Sequence, residues 1–258
     1  MAGTKVSLSV VLATYNEADK LADCLKSVKN LADEIIVVDG SSNDNTRKIA
    51  KSFGAKVIKV KNLPMFHTNK QKAVDEATKD WILQLDADEQ VSKELAEEIK
   101  SAILKSEFSG FYLPRKNWFL SRFLTKGGQY PDYVIRLFKN GSGHFPQESV
   151  HEQIAIKGSV GYLKNPLIHY ADKEFSRYLT RFNRYTDLEA ANLFRVGEKP
   201  TFPSGINYFL IKPVHWFLLT YFRHKGFVDG LPGFIFALMS SLRFPVTWFK
   251  LWEKTYAR

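Results

Sequence analysis

Through about residue 105, short apolar runs rich in β-branched residues alternate with segments whose apolar positions follow a helical period. The short runs predict strands at residues 8–13, 35–38, 56–60 and 81–85. The helical segments lie around residues 21–28, after residue 43 and near residues 71–77. This order is typical of βαβ units, so we expect an α/β fold with a mainly parallel, Rossmann-like sheet flanked by helices.

The pattern changes twice along the chain. From residue 106 to about 172, short strands alternate with loops rich in glycine and proline, and a helical segment over 174–195 leads into an aromatic, basic tail. We therefore predict an α/β domain over residues 1–172, with halves 1–105 and 106–172, and a helical region over 173–258.

Polar residues cluster where the first, second and fourth predicted strands end. The first strand is followed by Thr-Tyr-Asn-Glu (14–17), the second by Asp-Gly-Ser-Ser-Asn-Asp-Asn-Thr (39–46) and the fourth by Asp-Ala-Asp-Glu (86–89). Ligands of open parallel sheets bind beyond the carboxyl ends of the strands. Carboxylate oxygens suit Mg²⁺ or Mn²⁺, and a helix N-terminus attracts anions. Taken singly, segment 86–89 also fits an acidic turn before a helix, and Asp44 or Asn45 fits a helix N-cap.

Together, the three segments resemble the family-two glycosyltransferases, and the branch that includes lipopolysaccharide core glucosyltransferases in particular. The resemblance covers about residues 6–170 and extends into the tail. It implies a GT-A fold, in which residues 1–105 bind a nucleotide sugar and residues 106–172 bind the acceptor.

The resemblance also implies roles for individual residues. Substrate binding falls to Thr14, Tyr15, Glu17, Asp39, Ser41, Asp44, Lys72, Asp86 and Ala87. Among these, Lys72 would approach the diphosphate and Asp86 the ribose or the donor sugar. Asp88 would bind Mg²⁺ or Mn²⁺, and His169 would be a second metal ligand, with a structural histidine as the alternative. Arg136 is expected to contact phosphate, with a structural ion pair as the alternative.

A general base is needed to take the proton of the acceptor hydroxyl as it attacks the sugar. Glu152, in the segment Val-His-Glu at 150–152, resembles the base of the family. Glu148 and Asp132 are rival bases, and a surface glutamate in a turn is the alternative. We expect loop 126–132, with Arg115 and Trp118, to frame the acceptor.

Charge and aromatic content suggest a lipid surface as the partner of the tail. The formal net charge is +10, and residues 173–258 contain 13 Lys/Arg against 6 Asp/Glu. Trp and Phe surround these cations, which favours an anionic membrane over nucleic acid. Charged and proline residues interrupt both apolar stretches of the tail, so we expect interfacial helices or a shallow re-entrant hairpin. Packing against the catalytic domain and true spanning are the alternatives.

We therefore expect an inverting glycosyltransferase that moves a sugar from a nucleotide diphosphate, with uridine diphosphate favoured. The expected acceptor is a glycan or a lipid-linked molecule in the synthesis of cell-envelope polysaccharide or lipopolysaccharide. The single Cys24 and an N-terminus without signal-peptide features predict a cytoplasmic enzyme, peripheral at the inner face of the cell membrane. A sugar-1-phosphate nucleotidyltransferase is one alternative, although such enzymes carry a Gly-rich loop after the first strand. A non-catalytic nucleotide-sugar-binding protein is the other.

Overall fold

The structure is a computed structural model that describes residues 6–63, 65–104, 106–147 and 153–256. The chain forms two compact units. The first comprises the described residues of Met1–Arg115 and Asp132–His169, and the second those of Lys116–Pro131 and Tyr170–Arg258. The domain boundary at residue 172 stays a prediction.

Twelve strands occur in the described part of the chain. They are β1 (Leu8–Thr14), β2 (Glu34–Asp39), β3 (Lys56–Lys59), β4 (Trp81–Leu85), β5 (Glu89–Val91), β6 (Gly110–Phe119), β7 (Arg122–Phe123), β8 (Asp132–Lys139), β9 (Gly143–His144), β10 (Ala155–Ile156), β11 (Val160–Tyr162) and β12 (Leu167–Asp172). The main sheet has the order β3-β2-β1-β4-β8-β6-β12-β5.

The helices of the first unit are α1 (Leu21–Val28), α2 (Thr46–Ser52), α3 (Phe66–Asp75) and α4 (Lys93–Leu104). In the second unit, α5 (Phe175–Arg195) is followed by a helical segment over residues 202–223, which contains α6 (Phe202–Ile206), α7 (Lys212–Phe217) and π-helical turns. A 3₁₀ turn (Gly226–Asp229) leads into α8 (Gly230–Tyr256).

The parallel strands β1 to β4 confirm the predicted α/β fold. Leu12 on β1 is paired with Val37 on β2 and with Leu85 on β4, and all three side chains are fully buried. Such strands are covered on both faces, which explains their continuous apolar runs. Because β1, β2 and β4 run in the same direction and in register, the polar clusters that follow them lie at one edge of the sheet.

Helices cover both faces of this sheet. On one face, α1 and α4 contribute the fully buried side chains Leu21, Leu25, Leu95 and Ile99. On the other face, α3 packs Ala73 and Val74 against core side chains that include Phe138 of β8. Each large aliphatic side chain buried in this way contributes about 1.5–3 kcal/mol to stability, so the sheet edge that carries the polar clusters has a rigid support.

Helix α3 starts earlier than the sequence pattern suggested. The apolar periodicity predicted a helix near residues 71–77, but α3 begins at Phe66 and ends at Asp75. Its first turns bury the polar side chains of His67, Asn69 and Lys70, so hydrophobicity alone does not mark them.

In the second unit, a buried carboxylate ties a loop to the start of α8. Asp229 is 1% exposed and accepts hydrogen bonds from the backbone N–H of Thr125 and of Lys126, each at 2.8 Å, and from the Thr125 hydroxyl at 2.9 Å. The guanidinium of Arg122 lies 3.4 Å from the same carboxylate. Four contacts therefore offset the cost of burying this charge.

Among the described residues, one helix is long and apolar enough to cross a membrane. This helix comprises Gly226–Tyr256 and contains a stretch with a mean hydropathy of 1.3. Its length and composition alone indicate that it could span a membrane. Helices that lie in a membrane interface or pack on a protein can pass the same criterion. The preference for an interfacial arrangement over a spanning one thus stays a prediction.

Candidate active site

The loops after β1 and β2 are braced by Asp39, which ends β2 and is fully buried. Its carboxylate accepts hydrogen bonds from the backbone N–H of Ser42 at 2.9 Å, from the Ser42 hydroxyl at 2.5 Å and from the Thr14 hydroxyl at 3.3 Å. Arg47 Nε lies 3.4 Å away. Asp39 and Thr14 thus stand together at the predicted nucleoside pocket, and their side chains fix the shape of its wall.

Asp44 connects the same two loops. Its carboxylate accepts hydrogen bonds from the backbone N–H of Ala18 at 3.1 Å and of Thr46 at 3.0 Å, and from the Thr46 hydroxyl at 2.5 Å. Burial raises the pKa of Asp44, but the hydrogen bonds together outweigh it and lower the pKa below its ordinary value. The Thr46 hydroxyl in turn accepts a hydrogen bond from the Glu17 backbone at 2.9 Å. Asp44 therefore stabilises the start of α2. Stabilising a helix start is the alternative to substrate binding that the sequence allowed for this residue.

Two residues of this region adopt left-handed backbone conformations, Asn16 with φ 54° and Ser41 with φ 66°. The Asn16 side chain accepts a hydrogen bond from the Asn43 backbone at 2.9 Å, and the Ser41 hydroxyl donates to the Val60 carbonyl at 2.7 Å. Non-glycine residues keep such backbone angles only where the surroundings hold them, and these conformations concentrate at functional sites. Next to them, Tyr15 is 43% exposed, which leaves its ring available to a ligand.

Asp86, directly after β4, is held between two cations. Lys70 Nζ lies 2.5 Å from one carboxylate oxygen, and Arg136 Nη2 lies 2.6 Å from the other. Burial would raise the pKa of Asp86, but the charges of Arg136, Lys70 and Arg115 hold it well below its ordinary value. The carboxylate is therefore ionised at neutral pH. Because 28% of the side chain is exposed, a ligand can still reach it.

Arg136 and Glu89 form the buried part of the same network. Arg136 is 7% exposed; it donates to Glu89 at 2.8 Å and to the side-chain oxygen of Gln84. Glu89 is fully buried, accepts a hydrogen bond from the Asp86 backbone at 2.9 Å and lies 3.6 Å from the Arg115 guanidinium. Burial lowers the pKa of Arg136, but the charges of Asp86 and Glu89 outweigh it and raise the pKa above its ordinary value. These contacts are the ion pair that the sequence offered as the alternative to a phosphate contact.

The two lysines of α3 point in different directions. Lys70 is 9% exposed and pairs with Asp86, whereas the Lys72 side chain is 44% exposed and its ammonium lies 3.6 Å from Glu76 on the same helix. The approach of Lys72 to the diphosphate stays a prediction. Lys70, which sequence reasoning missed, is the lysine that pairs with Asp86. The helical period indicates that Lys70 faces inward, because Lys70 falls on the same face as the buried Ala73 and Val74.

Asp88 and His169 meet across two paired strands. His169 on β12 pairs with Glu89 at the start of β5, directly after Asp88. His169 Nε2 lies 3.5 Å from Asp88 Oδ1, with the side chains 13% and 17% exposed. Ala87, between the two aspartates, is 6% exposed. The described residues contain no group of three or more His, Cys, Asp or Glu side chains arranged for a metal ion, so this pair offers two protein ligands.

The Asp88 carboxylate suits Mg²⁺ or Mn²⁺, with phosphate oxygens and water completing the shell, and an imidazole nitrogen as an additional ligand favours Mn²⁺ over Mg²⁺. Mg²⁺ is commonly held in this way, by one or two carboxylates and substrate phosphates. The donor set therefore fits the predicted ion, and its ligands would be Asp88 and His169.

The predicted base lies outside the described residues, as does one of its rivals: Glu152 and Glu148 both fall in segment 148–152. The other rival, Asp132, is described, and Arg115 donates two hydrogen bonds to it, at 2.7 and 2.9 Å. A carboxylate paired with a guanidinium favours its ionised form and is a weak proton acceptor. The geometry therefore disfavours Asp132, and the assignment of Glu152 stays a prediction.

Replacement of Arg136 by methionine tests the buried network. Arg136→Met leaves Glu89 and Asp86 without their central partner, and breaking a buried ion pair in this way costs about 3–5 kcal/mol. Because Asp86 has a lowered pKa, its stabilising contribution is present at neutral pH and is lost as the pH falls. The difference in unfolding free energy between wild type and variant should thus narrow below about pH 4.

Urea unfolding at several pH values measures this difference. Lys56→Met is the matched control, since it removes an exposed cation that lies 2.8 Å from Glu76 and should change stability far less. Equal effects of the two substitutions would contradict a structural role for Arg136.

Comparison with known proteins identifies the family to which this arrangement belongs. The profile described as Glycosyl transferase family 2 matches residues 9–170. An uncharacterized glycosyltransferase of Rickettsia bellii is 32% identical, over 92% of this chain and 84% of that protein. The lipopolysaccharide core biosynthesis glycosyltransferase LpsC of Rhizobium meliloti is 28% identical, over 97% of this chain and 93% of its own length.

Solved structures agree on the fold. S. aureus TarS 1–349, in a crystal structure with UDP-GlcNAc, matches with a TM-score of 0.51 and 16% identity, over 98% of this chain and 92% of that chain. At this identity the likeness concerns the fold alone. The family match covers more than half of the chain and confirms the resemblance that the three strand-end motifs suggested. The chain therefore belongs to glycosyltransferase family 2 and is a glycosyltransferase with a GT-A fold.

Proposed function

We propose that the enzyme transfers a sugar, with inversion at its anomeric carbon, from a uridine diphosphate sugar to an acceptor of the cell envelope. The observation that carries the proposal is the meeting of Asp88 with His169 beside the Asp86–Lys70 pair, at the edge where β1, β2 and β4 end. Ligands of parallel sheets bind at such an edge.

The donor nucleotide fits the loops after β1 and β2. Tyr15 offers an exposed ring to the base, and Thr14, Glu17, Ser41 and Asp44 belong to the wall that surrounds it. Asp86, ionised and fixed by its cations, would accept hydrogen bonds from hydroxyl groups of the ribose or the donor sugar. The bound UDP-GlcNAc of S. aureus TarS supports uridine diphosphate as the carrier.

The diphosphate needs positive charge as it leaves. Lys70 supplies a fixed ammonium at this point, and Asp88 and His169 would hold a Mg²⁺ or Mn²⁺ ion, whose charge stabilises the developing anion. In the low-polarity surroundings of a closed site such fixed charges act more strongly than in water. Arg136 acts indirectly, because its contacts with Asp86 and Glu89 keep the Asp86 carboxylate in position.

Inversion requires a single displacement. The acceptor hydroxyl attacks the anomeric carbon from the side opposite the diphosphate, the bond from that carbon to the phosphate oxygen breaks, and a carboxylate takes the hydroxyl proton. We assign the base to Glu152.

The acceptor and the location follow from the relatives and from the charge of the tail. The LpsC relative acts in lipopolysaccharide core biosynthesis, which supports a glycan or lipid-linked acceptor of the cell envelope. The second unit carries the basic excess together with exposed aromatic side chains, a combination that binds anionic lipid. We therefore place the enzyme at the cytoplasmic face of the membrane, and flotation with vesicles measures this attachment.

Two lysines on one helix provide a matched test of the donor site. Lys70→Met should weaken binding of UDP by about 10- to 100-fold, since a hydrogen bond to a charged group contributes about 1.5–3 kcal/mol. Lys72→Met, which removes the exposed lysine beside Glu76, should leave binding close to that of the wild type. Calorimetric titration with UDP and Mn²⁺ measures both. A loss at Lys72 with none at Lys70 would return the diphosphate role to Lys72.

A charge-neutral substitution tests the base. Glu152→Gln should leave UDP affinity unchanged and lower the turnover number by about 10²- to 10⁴-fold, the range that general base catalysis contributes. Transfer to membrane-extracted acceptor lipids, with the anomeric configuration of the product read by NMR, provides the measurement. Unimpaired turnover would move the role to Glu148, and retention of configuration would refute the displacement itself.

A further inference from the structure

The helical segment over residues 202–223 exposes an apolar residue at every fourth position. These residues are Phe202, Ile206, Leu210, Val214, Leu218 and Phe222, and between 43% and 84% of each side chain is exposed. Residues four apart are neighbours on a helix surface, and the π-helical turns over residues 207–211 and 218–223 counter the drift of such a row around an α-helix. We call this row the first stripe.

Helix α8 carries a second stripe. From Leu231 to Phe249 every exposed residue of α8 is apolar. The second stripe consists of Leu231, Phe234, Leu238, Leu242, Phe249 and Trp252, which are 37% to 68% exposed. A soluble surface normally interrupts such rows with charged residues, and large exposed apolar areas mark interaction sites.

The two helices bring their apolar surfaces together. At one end, the rings of Phe217 and Tyr221 lie 6.0 and 5.7 Å from the ring of Phe234. At the other end, Phe209 lies 5.4 Å from Trp248 and 5.0 Å from Phe249. Aromatic side chains thus join the helices at both ends.

An open cleft lies where the helices meet at the second end. Its volume is ≈ 820 Å³, and residues of both stripes line it, among them Phe202, Ile206, Leu210 and Trp252. The lining contains no Asp, Glu, Lys or Arg side chain from the described part of the chain. The cleft is therefore a continuation of the apolar stripes and opens to the same surroundings.

The polar side chains of Trp248 and Thr201 in the cleft wall form hydrogen bonds within the protein. Trp248 Nε1 donates to the Ser204 hydroxyl at 3.0 Å, and Ser204 and Thr201 form a reciprocal capping pair at the start of α6. A ligand with many hydrogen-bonding groups would lose its hydration here without replacement. A hydrocarbon chain has no such groups to satisfy.

Charge favours an anionic leaflet around the two helices. Residues 200–256 contain six Lys/Arg and two Asp/Glu. Arg223 and Lys225 are exposed at the turn between the helices, beside the exposed Phe222 and Phe227. Cations next to exposed aromatic rings complement anionic headgroups above an apolar layer.

We propose that the cleft between residues 200–210 and 248–256 binds one hydrocarbon chain of a lipid of an anionic membrane, with the two stripes lying in the surrounding leaflet. The proposal rests on the membrane attachment of the proposed function and is independent of the donor chemistry. It adds a specific lipid-chain site to what would otherwise be a general affinity for membranes.

Photo-crosslinking of the full-length chain tests the site. The probe is phosphatidylglycerol with a diazirine near the end of one acyl chain, present as a trace in vesicles of phosphatidylglycerol and phosphatidylcholine. Cross-links mapped by mass spectrometry should concentrate in peptides that contain residues 200–210 and 248–256. Flotation and sugar transfer are measured on the same samples.

Gly205 allows the cleft to be filled. A Cβ atom at Gly205 would lie 3.7 Å from the Trp248 ring, an ordinary contact, so Gly205→Leu adds bulk to the cleft without a clash at Cβ. It should remove most cleft cross-links while flotation stays unchanged. Val214→Phe adds bulk to the first stripe away from the cleft, where Val214 is 56% exposed, and should keep the cross-links. Ile206→Phe is a second filling variant should Gly205→Leu fold poorly.

The outcomes separate the two proposals. Flotation with cross-links spread along the stripes, or cleft cross-links that persist in a folded filling variant, would overturn the lipid-chain site. Cross-links from the cleft to a second copy of the chain would do so too, and would mark a protein interface. A protein that floats and shows cleft cross-links but transfers no sugar would leave the lipid site intact and refute the proposed reaction. Failure to float on anionic vesicles would refute the attachment and the site together.

Discussion

The geometry of the candidate site depends on the ion pairs that the guanidinium of Arg136 forms with two carboxylates, those of Asp86 and Glu89. Arg136 is almost fully buried, as is Glu89, and burying such charges carries a desolvation cost that only close pairing offsets. Here the pairing extends from Gln84 through Arg136 to Asp86, Glu89 and the Asp86 backbone. The network fixes the strand end from which Asp86 and Asp88 project, and it links β4 to the neighbouring strand β8.

The parallel strands supply the second constraint. Thr14 and Asp39 are register partners on β1 and β2, so the loops after them face each other, and hydrogen bonds of Asp39, Asp44 and Asn16 join the two loops. These hydrogen bonds restrict both loops, and restriction of a binding site in its bound shape lowers the entropic cost of binding. Strand pairing of β12 with β5 adds His169 to the same edge from a distant part of the sequence.

The parts of the structure that follow from periodicity and strand order were predictable. The strands β1, β2 and β4, the helix after each polar cluster and the family follow from local patterns that the structure and the comparisons confirm. The start of α3 was not predictable from hydrophobicity, because its first turns bury polar side chains. The same feature explains why sequence reasoning missed Lys70: motif position suggested Lys72, whereas Lys70 lies on the buried face of the helix and pairs with Asp86. The partners of Arg136 depend on the register of β8 with β4, which a single sequence does not specify.

The central claim is that Asp88 and His169 bind a divalent cation together with the diphosphate. The most direct measurement is Mn²⁺ binding, followed by electron paramagnetic resonance of the free ion, with and without UDP. With two protein ligands among the described residues, the ion should bind weakly alone, and UDP should raise its affinity by about 5- to 150-fold, the range of coupling between linked sites. Asp88→Ala and His169→Ala should each remove this coupling, whereas Glu97→Ala, at a carboxylate whose side chain is 72% exposed, should not. Mn²⁺ affinity that is indifferent to UDP, or coupling that survives in Asp88→Ala, would contradict the account.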